Sequence, residues 1–245
     1  MFTLSQIVPL GRSFDEYRRM FALSDIDLRR KILGCADGPA SFNAEATQRG
    51  SQVVSCDPLY RFDGEQIRRQ IDATFPEVME QTRRNAAQFV WNDIPSIEEL
   101  ERCRREAMHS FLADYDRGRR QGRYVEAELP TLPFADALFD LALCSHFLFL
   151  YTDQLSESFH VRAIMEMCRV ATEVRVFPLV ALDALPSRHT DSVAVQLQAG
   201  GFGVTVDRVP YEFQCGANQM MRIRGKPRIR LEEIAEPWKA RESPG

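Results

Sequence analysis

Three observations predict that this 245-residue chain is an α/β protein built on a mostly parallel sheet. Residues 139–144 form a short apolar run, as in a strand covered on both faces. Residues 31–56 read as strand, turn, helix and strand, a unit of the size that a parallel sheet requires. The same strand–helix alternation resumes after residue 123 and closes on two strands.

Each element follows from local signals. Residues 13–23 read as an amphipathic helix capped by Ser13. A strand over 31–35 leads through a small-residue turn into a helix over 40–49, which Gly50 ends. A second strand, 52–56, stops at Asp57-Pro58. Residues 61–122 are rich in balanced charge and far exceed a usual βα loop, so they are expected to form a helical insertion. Its helices are expected at 64–75, 76–91 and 97–116, with breaks at Pro76 and Pro95 and a Ser96/Glu99 capping box. Strands are then expected at 123–127, 139–144 and 173–179, with helices at 154–168 and 189–199. Residues 203–213 and 218–223 read as antiparallel strands around a short turn. The charged tail from Lys226 reads as a frayed end.

Composition narrows the function. The chain is 44% hydrophobic and 27% charged, with a net charge of −4, which argues against broad binding to nucleic acid. No apolar run is long enough to span a bilayer. The first twelve residues lack a basic start and a cleavage site, so a cytoplasmic location is expected. The six cysteines are scattered without a CxxC pair and read as reduced core residues. The four histidines lack metal-ligand spacing, so no metal is expected. A homo-oligomer is compatible with the sequence.

Three groups of residues could carry chemistry. Gly34-Cys35-Ala36-Asp37-Gly38 is a small-residue turn after a strand, where a ligand can approach the backbone. It departs from the dinucleotide pattern GxGxxG, which weakens a nicotinamide-oxidoreductase reading. Asp57 follows the second strand about twenty residues later, where an acid can accept ribose hydroxyls; the alternative is that it caps the turn before Pro58. Ser145 and His146 appear where the 139–144 strand must stop, at the carboxyl edge where open α/β sheets bind ligands. Tyr151 and His160 are weaker candidates. The basic cluster at residues 117–123 reads as a solvated loop in preference to an anion grip.

KILGCADGPASF, SCDPLYRF, VEAELPTLPFADALFDLALCSHF and the closing strand pair together resemble class I S-adenosylmethionine-dependent methyltransferases of the LPF-x-D-x-x-FD type. The resemblance implies a Rossmann-like, seven-stranded, mostly parallel sheet with a C-terminal antiparallel hairpin, in a single domain with residues 61–122 as a helical cap. It implies S-adenosylmethionine as cofactor and a small-molecule acceptor. Gly34 to Gly38 would face the methionine part, and Asp57-Pro58 the ribose. Glu128 and Leu129 would flank the adenine, with Ser145 and His146 beside the methyl group. His146 is then the candidate general base, since imidazole titrates near neutrality; a packed, hydrogen-bonded histidine is the alternative. One position departs from the family: Ile32 stands where an acid often holds the cofactor's ammonium group. A non-catalytic binding or partner protein of the same fold is the rival that Ile32 favours.

Overall fold

The computed structural model describes residues 10–225; the expectations for the N-terminal nine residues and for the tail from Lys226 lie outside them. Seven strands form one sheet: β1 (Lys31–Cys35), β2 (Gln52–Cys56), β3 (Tyr124–Val125), β4 (Phe139–Ser145), β5 (Ala171–Phe177), β6 (Gly203–Arg208) and β7 (Gln219–Arg224). Their order is β3-β2-β1-β4-β5-β7-β6, and β7 alone runs against the others. This is the seven-stranded, mostly parallel, Rossmann-like sheet with a late antiparallel hairpin. The chain reverses its winding between β1 and β4, which places a crevice at the carboxyl ends of those two strands.

The strand pattern explains the layers. Ile32, Leu141 and Leu143 enter one core, with Phe14, Tyr17 and Phe42 of the helices α1 (Phe14–Met20) and α2 (Phe42–Gln48). Their alternates Leu33, Ala142 and Cys144 enter the other core. That core is closed by the helices α5 (Glu157–Val170) and α6 (Thr190–Ala199). Alternation with both faces buried gives the unbroken apolar run of residues 139–144. Between β2 and β3, the long helices α3 (Gly64–Arg84) and α4 (Ile97–Arg120) pack with Leu59, Tyr60 and Tyr124 into a third cluster. Among the described residues no helix is long and apolar enough to cross a membrane.

Several boundaries differ from the sequence expectation. Pro76 does not split its helix: α3 runs unbroken from Gly64 to Arg84. Ile67, Ile71, Phe75, Val78 and Met79 form a continuous buried stripe, and its burial outweighs the hydrogen bond that the exposed proline removes. Residues 86–88 form a 3₁₀ turn, and Trp91 lies beyond it, outside the helix. Ser96 caps α4, accepting from the Glu99 N–H at 3.2 Å, but the Glu99 carboxylate pairs with Arg102 and leaves the capping box half made. Residues 40 and 41 precede α2, and α5 begins after the cap Ser156. β5 ends at Phe177, before Pro178, which has no N–H to extend the ladder. The closing pair is antiparallel, but its turn is a ten-residue connection, 209–218. That connection carries Phe213 against Phe89 and Trp91.

Candidate functional site

The turn after β1 is held in an uncommon conformation by the turn after β2. Ala36 and Gly38 both have positive φ, +55° and +54°. Gly38 donates its N–H to Asp57 Oδ2 at 2.9 Å, and Tyr60 donates its hydroxyl to the Gly38 carbonyl at 2.7 Å. Asp57 Oδ1 meanwhile accepts from the Leu59 N–H at 2.7 Å, capping the 3₁₀ turn at Pro58–Arg61. Asp57 therefore caps its turn and ties down the glycine loop at once. Each carboxylate oxygen keeps a further lone pair for a ligand. Burial raises its pKa.

Gly34 and Cys35 lie beneath this surface. A Cβ on Gly34 would overlap the Asp37 carboxylate, so that glycine makes room for Asp37. The carboxylate of Asp37 accepts from Tyr17 Oη at 2.8 Å and from Ser55 Oγ at 2.6 Å. Burial, assisted by the charge of Asp57, pushes its pKa up to about 6. Cys35 is fully buried in the core beside Cys56 and Cys144. Ile32 is fully buried too, in the apolar layer against α1 and α2.

A cavity of about 890 Å³ opens at the carboxyl ends of β1, β2 and β4. Ala36, Asp37 and Gly38 line it, as do Asp57 and Pro58. Glu128, Leu129, Ser145 and His146 complete the set that the sequence singled out, while Gly34 and Cys35 do not reach it. A Cβ added to Gly38 would meet nothing within 4 Å, so the space above that backbone is open. Glu128 is exposed at the rim and Leu129 is buried.

His146 sits at the inner end. It too has positive φ, +52°, and its N–H donates to the Phe177 carbonyl at 2.7 Å. Three such residues, Ala36, Gly38 and His146, thus ring one cavity; left-handed backbone at a non-glycine residue is uncommon and gathers at functional sites. The His146 Nδ1 lies 2.8 Å from Ser145 Oγ. Burial, then the cations Arg12 and Arg104, hold its imidazole well below the usual histidine range, so it is neutral at neutral pH.

His146 also lines a second, smaller chamber of about 90 Å³. Leu10 and Arg12 are shared by both spaces, and α3 and α4 contribute Val78, Met79, Thr82, Leu100 and Arg104 to the smaller one. Tyr151 lines that chamber, whereas His160 is buried, pairs through Nδ1 with the Ser156 carbonyl, and lines neither space. The 117–123 cluster is engaged structurally. Arg117 and Arg123 pair with Asp114, and Gly118 lets Tyr124 pack against α4.

Sequence reasoning missed Arg12, Tyr17 and Arg104. Nothing near Arg12 marks it. Arg104 did leave a signal: it interrupts the stripe Leu100, Met108, Phe111 at helical spacing, where a charge must be buried.

No known protein-family model matches the chain. Over 223 residues, 90% of this chain and 97% of its counterpart, it is 33% identical to the uncharacterized protein MJ0045 of Methanocaldococcus jannaschii. Among solved structures it resembles the mitomycin 7-O-methyltransferase MmcR (TM-score 0.47, 14% identity, 87% of this chain and 54% of that one). It also resembles the PH0226 protein of Pyrococcus horikoshii OT3 (TM-score 0.42, 14% identity, 81% and 82%). A third is the magnesium protoporphyrin IX methyltransferase ChlM of Synechocystis PCC 6803 (TM-score 0.43, 11% identity, 87% and 91%). The chain spans about half the length of MmcR.

Proposed function

This chain belongs to the family of the Methanocaldococcus jannaschii protein MJ0045, and we propose that it transfers the methyl group of S-adenosylmethionine to a small molecule. One observation carries the reading: three left-handed residues on two strand ends surround a ligand-sized cavity at the switch point of a methyltransferase-like sheet. Its volume falls within the range of about 300–1,000 Å³ usual for small-molecule sites.

The residues present fit the cofactor. The open space above Gly38 would admit the methionine part, and the spare lone pairs of Asp57 would accept ribose hydroxyls. Glu128 and Leu129 would flank the adenine, and Asp37, which lines the cavity, would partly substitute for the acid that Ile32 replaces. The bound cofactor supplies an electrophilic methyl carbon, which bonds to the acceptor's lone pair while the old bonding pair stays on sulfur. The helices α3 and α4 act as the cap, with their chamber as the acceptor site. Neutral His146, held by Ser145 at the junction of the two spaces, would orient the acceptor and take its proton where it carries one.

Asp57→Ala tests the cofactor site. It should weaken S-adenosylhomocysteine binding by roughly 1.5–3 kcal/mol, the scale for losing hydrogen bonds to a charged group. An unchanged Kd removes Asp57 from the site. The buried Ile32 favours a second reading, a non-catalytic binding protein or partner subunit. Radiolabelled S-adenosylmethionine incubated with a small-molecule extract separates the two. Binding without any labelled product supports the second reading.

A further inference from the structure

The second chamber holds more positive charge than its own walls can balance. Arg104 is 1% exposed, and its Nη1 donates to Glu16 at 2.7 Å. Glu16 is the acidic partner there, and it also accepts from the Ser13 N–H at 2.9 Å and from Tyr211 Oη at 2.8 Å. The half-buried Arg12 guanidinium feels the charge of Arg104 directly, yet its one hydrogen bond among the described residues goes to the Leu10 carbonyl, at 2.7 Å. Within the chamber two guanidinium groups thus share one carboxylate, and the other acids near Arg12, Asp37 and Asp57, line the first cavity that Arg12 also borders. None of the described residues lining the chamber is acidic.

Two further polar side chains of the chamber are occupied. Thr82 Oγ1 donates to the Val78 carbonyl, and Gln214 Nε2 donates to the carbonyls of Ala181 and Leu182. The Nε atoms of Arg12 and Arg104 are both shielded from solvent and without a hydrogen-bond partner. Buried donors and buried cations are costly unless paired, so an arrangement that leaves one guanidinium over is completed by an anion from outside. The rest of the lining is apolar: Leu100, Leu150 and Leu182, with Phe213 under the Arg104 guanidinium at 5.9 Å.

We propose, resting on the methyl-transfer reading, that the acceptor is a small acid with an apolar body, whose carboxylate is held by Arg12 and Arg104 in this chamber. The single excess positive charge suits a monoanion, and guanidinium matches a carboxylate's geometry. Arg12 lies at the junction of the two spaces, so an acid anchored there reaches the side of the cavity that Ser145 and His146 border.

Benzoate and butyrate are the probes, with benzamide as the neutral control, titrated into the full chain saturated with S-adenosylhomocysteine. The wild type should bind at least one of the acids and not the amide. Arg12→Met should weaken that binding by about tenfold or more, and Arg12→Lys should restore part of it. S-adenosylhomocysteine affinity should stay the same in both variants. A wild type that binds neither acid at millimolar concentration overturns the proposal. So does a loss of S-adenosylhomocysteine affinity in Arg12→Met with 5′-methylthioadenosine unaffected, since Arg12 would then hold the cofactor's own carboxylate. A chain that takes no S-adenosylhomocysteine but binds the acids with the same dependence on Arg12 sinks the methyl-transfer reading and leaves the anion site standing.

Discussion

Asp37 lines the cavity while Tyr17 and Ser55 hold it from below, and its pKa reports the tension. Tyr17 and Ser55 hold its carboxylate, while burial pushes its pKa up to about 6. The folded state therefore grips the proton more tightly than the unfolded chain does. This contribution to stability is complete below about pH 4 and is lost as the pH rises through 6, a change of about 3 kcal/mol. Asp37→Asn should flatten that part of the curve in denaturant titrations at about pH 5 and pH 7.5. An unaltered slope means that another group titrates. His146 gives a second test. His146→Ala should lower turnover by roughly 10²–10⁴-fold with cofactor affinity preserved. Simultaneous loss of stability and cofactor binding would make it a packing residue. Since Arg12 adds to the burial that depresses His146, Arg12→Met should also raise the imidazole's titration midpoint, as read by NMR.

Among the elements, α3 offers the sharpest stability test. Pro76 is exposed in the middle of a continuous helix, where it removes a hydrogen bond. Pro76→Ala should therefore stabilise the chain by about 1–3 kcal/mol, visible as a rise in Tm of several degrees. An unchanged Tm would mean that the helix has already adapted to the proline. The same residue shows where sequence reading stops. β1 and β2 were legible residue by residue, because short apolar runs bounded by turns leave little choice of period. A proline inside an amphipathic pattern could break the helix or be absorbed, and the decision lay with Ile71, Phe75 and Val78 finding a common partner surface. The glycine turn, Asp57 and the Ser145–His146 pair were legible because strand ends mark them. Arg12 was not, since its place over the cavity depends on Gly11 packing against the Pro39 carbonyl, a contact far from any local pattern. The 209–218 connection was misjudged for a similar reason. Its alternation looked like strand, but Phe213 is drawn to Phe89 and Trp91, away from the sheet.

At the scale of the whole molecule, a charge network fastens the sheet to the segment before β1. Arg175 pairs with Asp27 at 2.9 Å and with Glu173 at 2.7 Å, and Glu173 also meets Arg222 at 2.9 Å. Burial alone would raise both carboxyls, yet Ser24 and Arg175 hold Asp27 below its usual range, and Arg175 and Arg222 do the same for Glu173. Their contribution is present above the ordinary carboxylate range and lost as the pH falls through it, opposite in sign to Asp37. Arg175→Met should cost about 1.5–3 kcal/mol at neutral pH, because two buried carboxylates each lose a charged hydrogen-bond partner while Arg30 and Arg222 remain. A Tm unchanged by that substitution would show that Arg30 and Arg222 suffice. The network braces the side of the sheet away from the cavity, leaving the carboxyl ends of β1, β2 and β4 free to line it. Titration calorimetry of the full chain with S-adenosylhomocysteine, run beside NAD, tests that assignment most directly. The expected result is saturable one-to-one binding of S-adenosylhomocysteine, weakened by Asp57→Ala, and no heat from NAD. Binding of NAD alone, or of neither nucleoside, would contradict it.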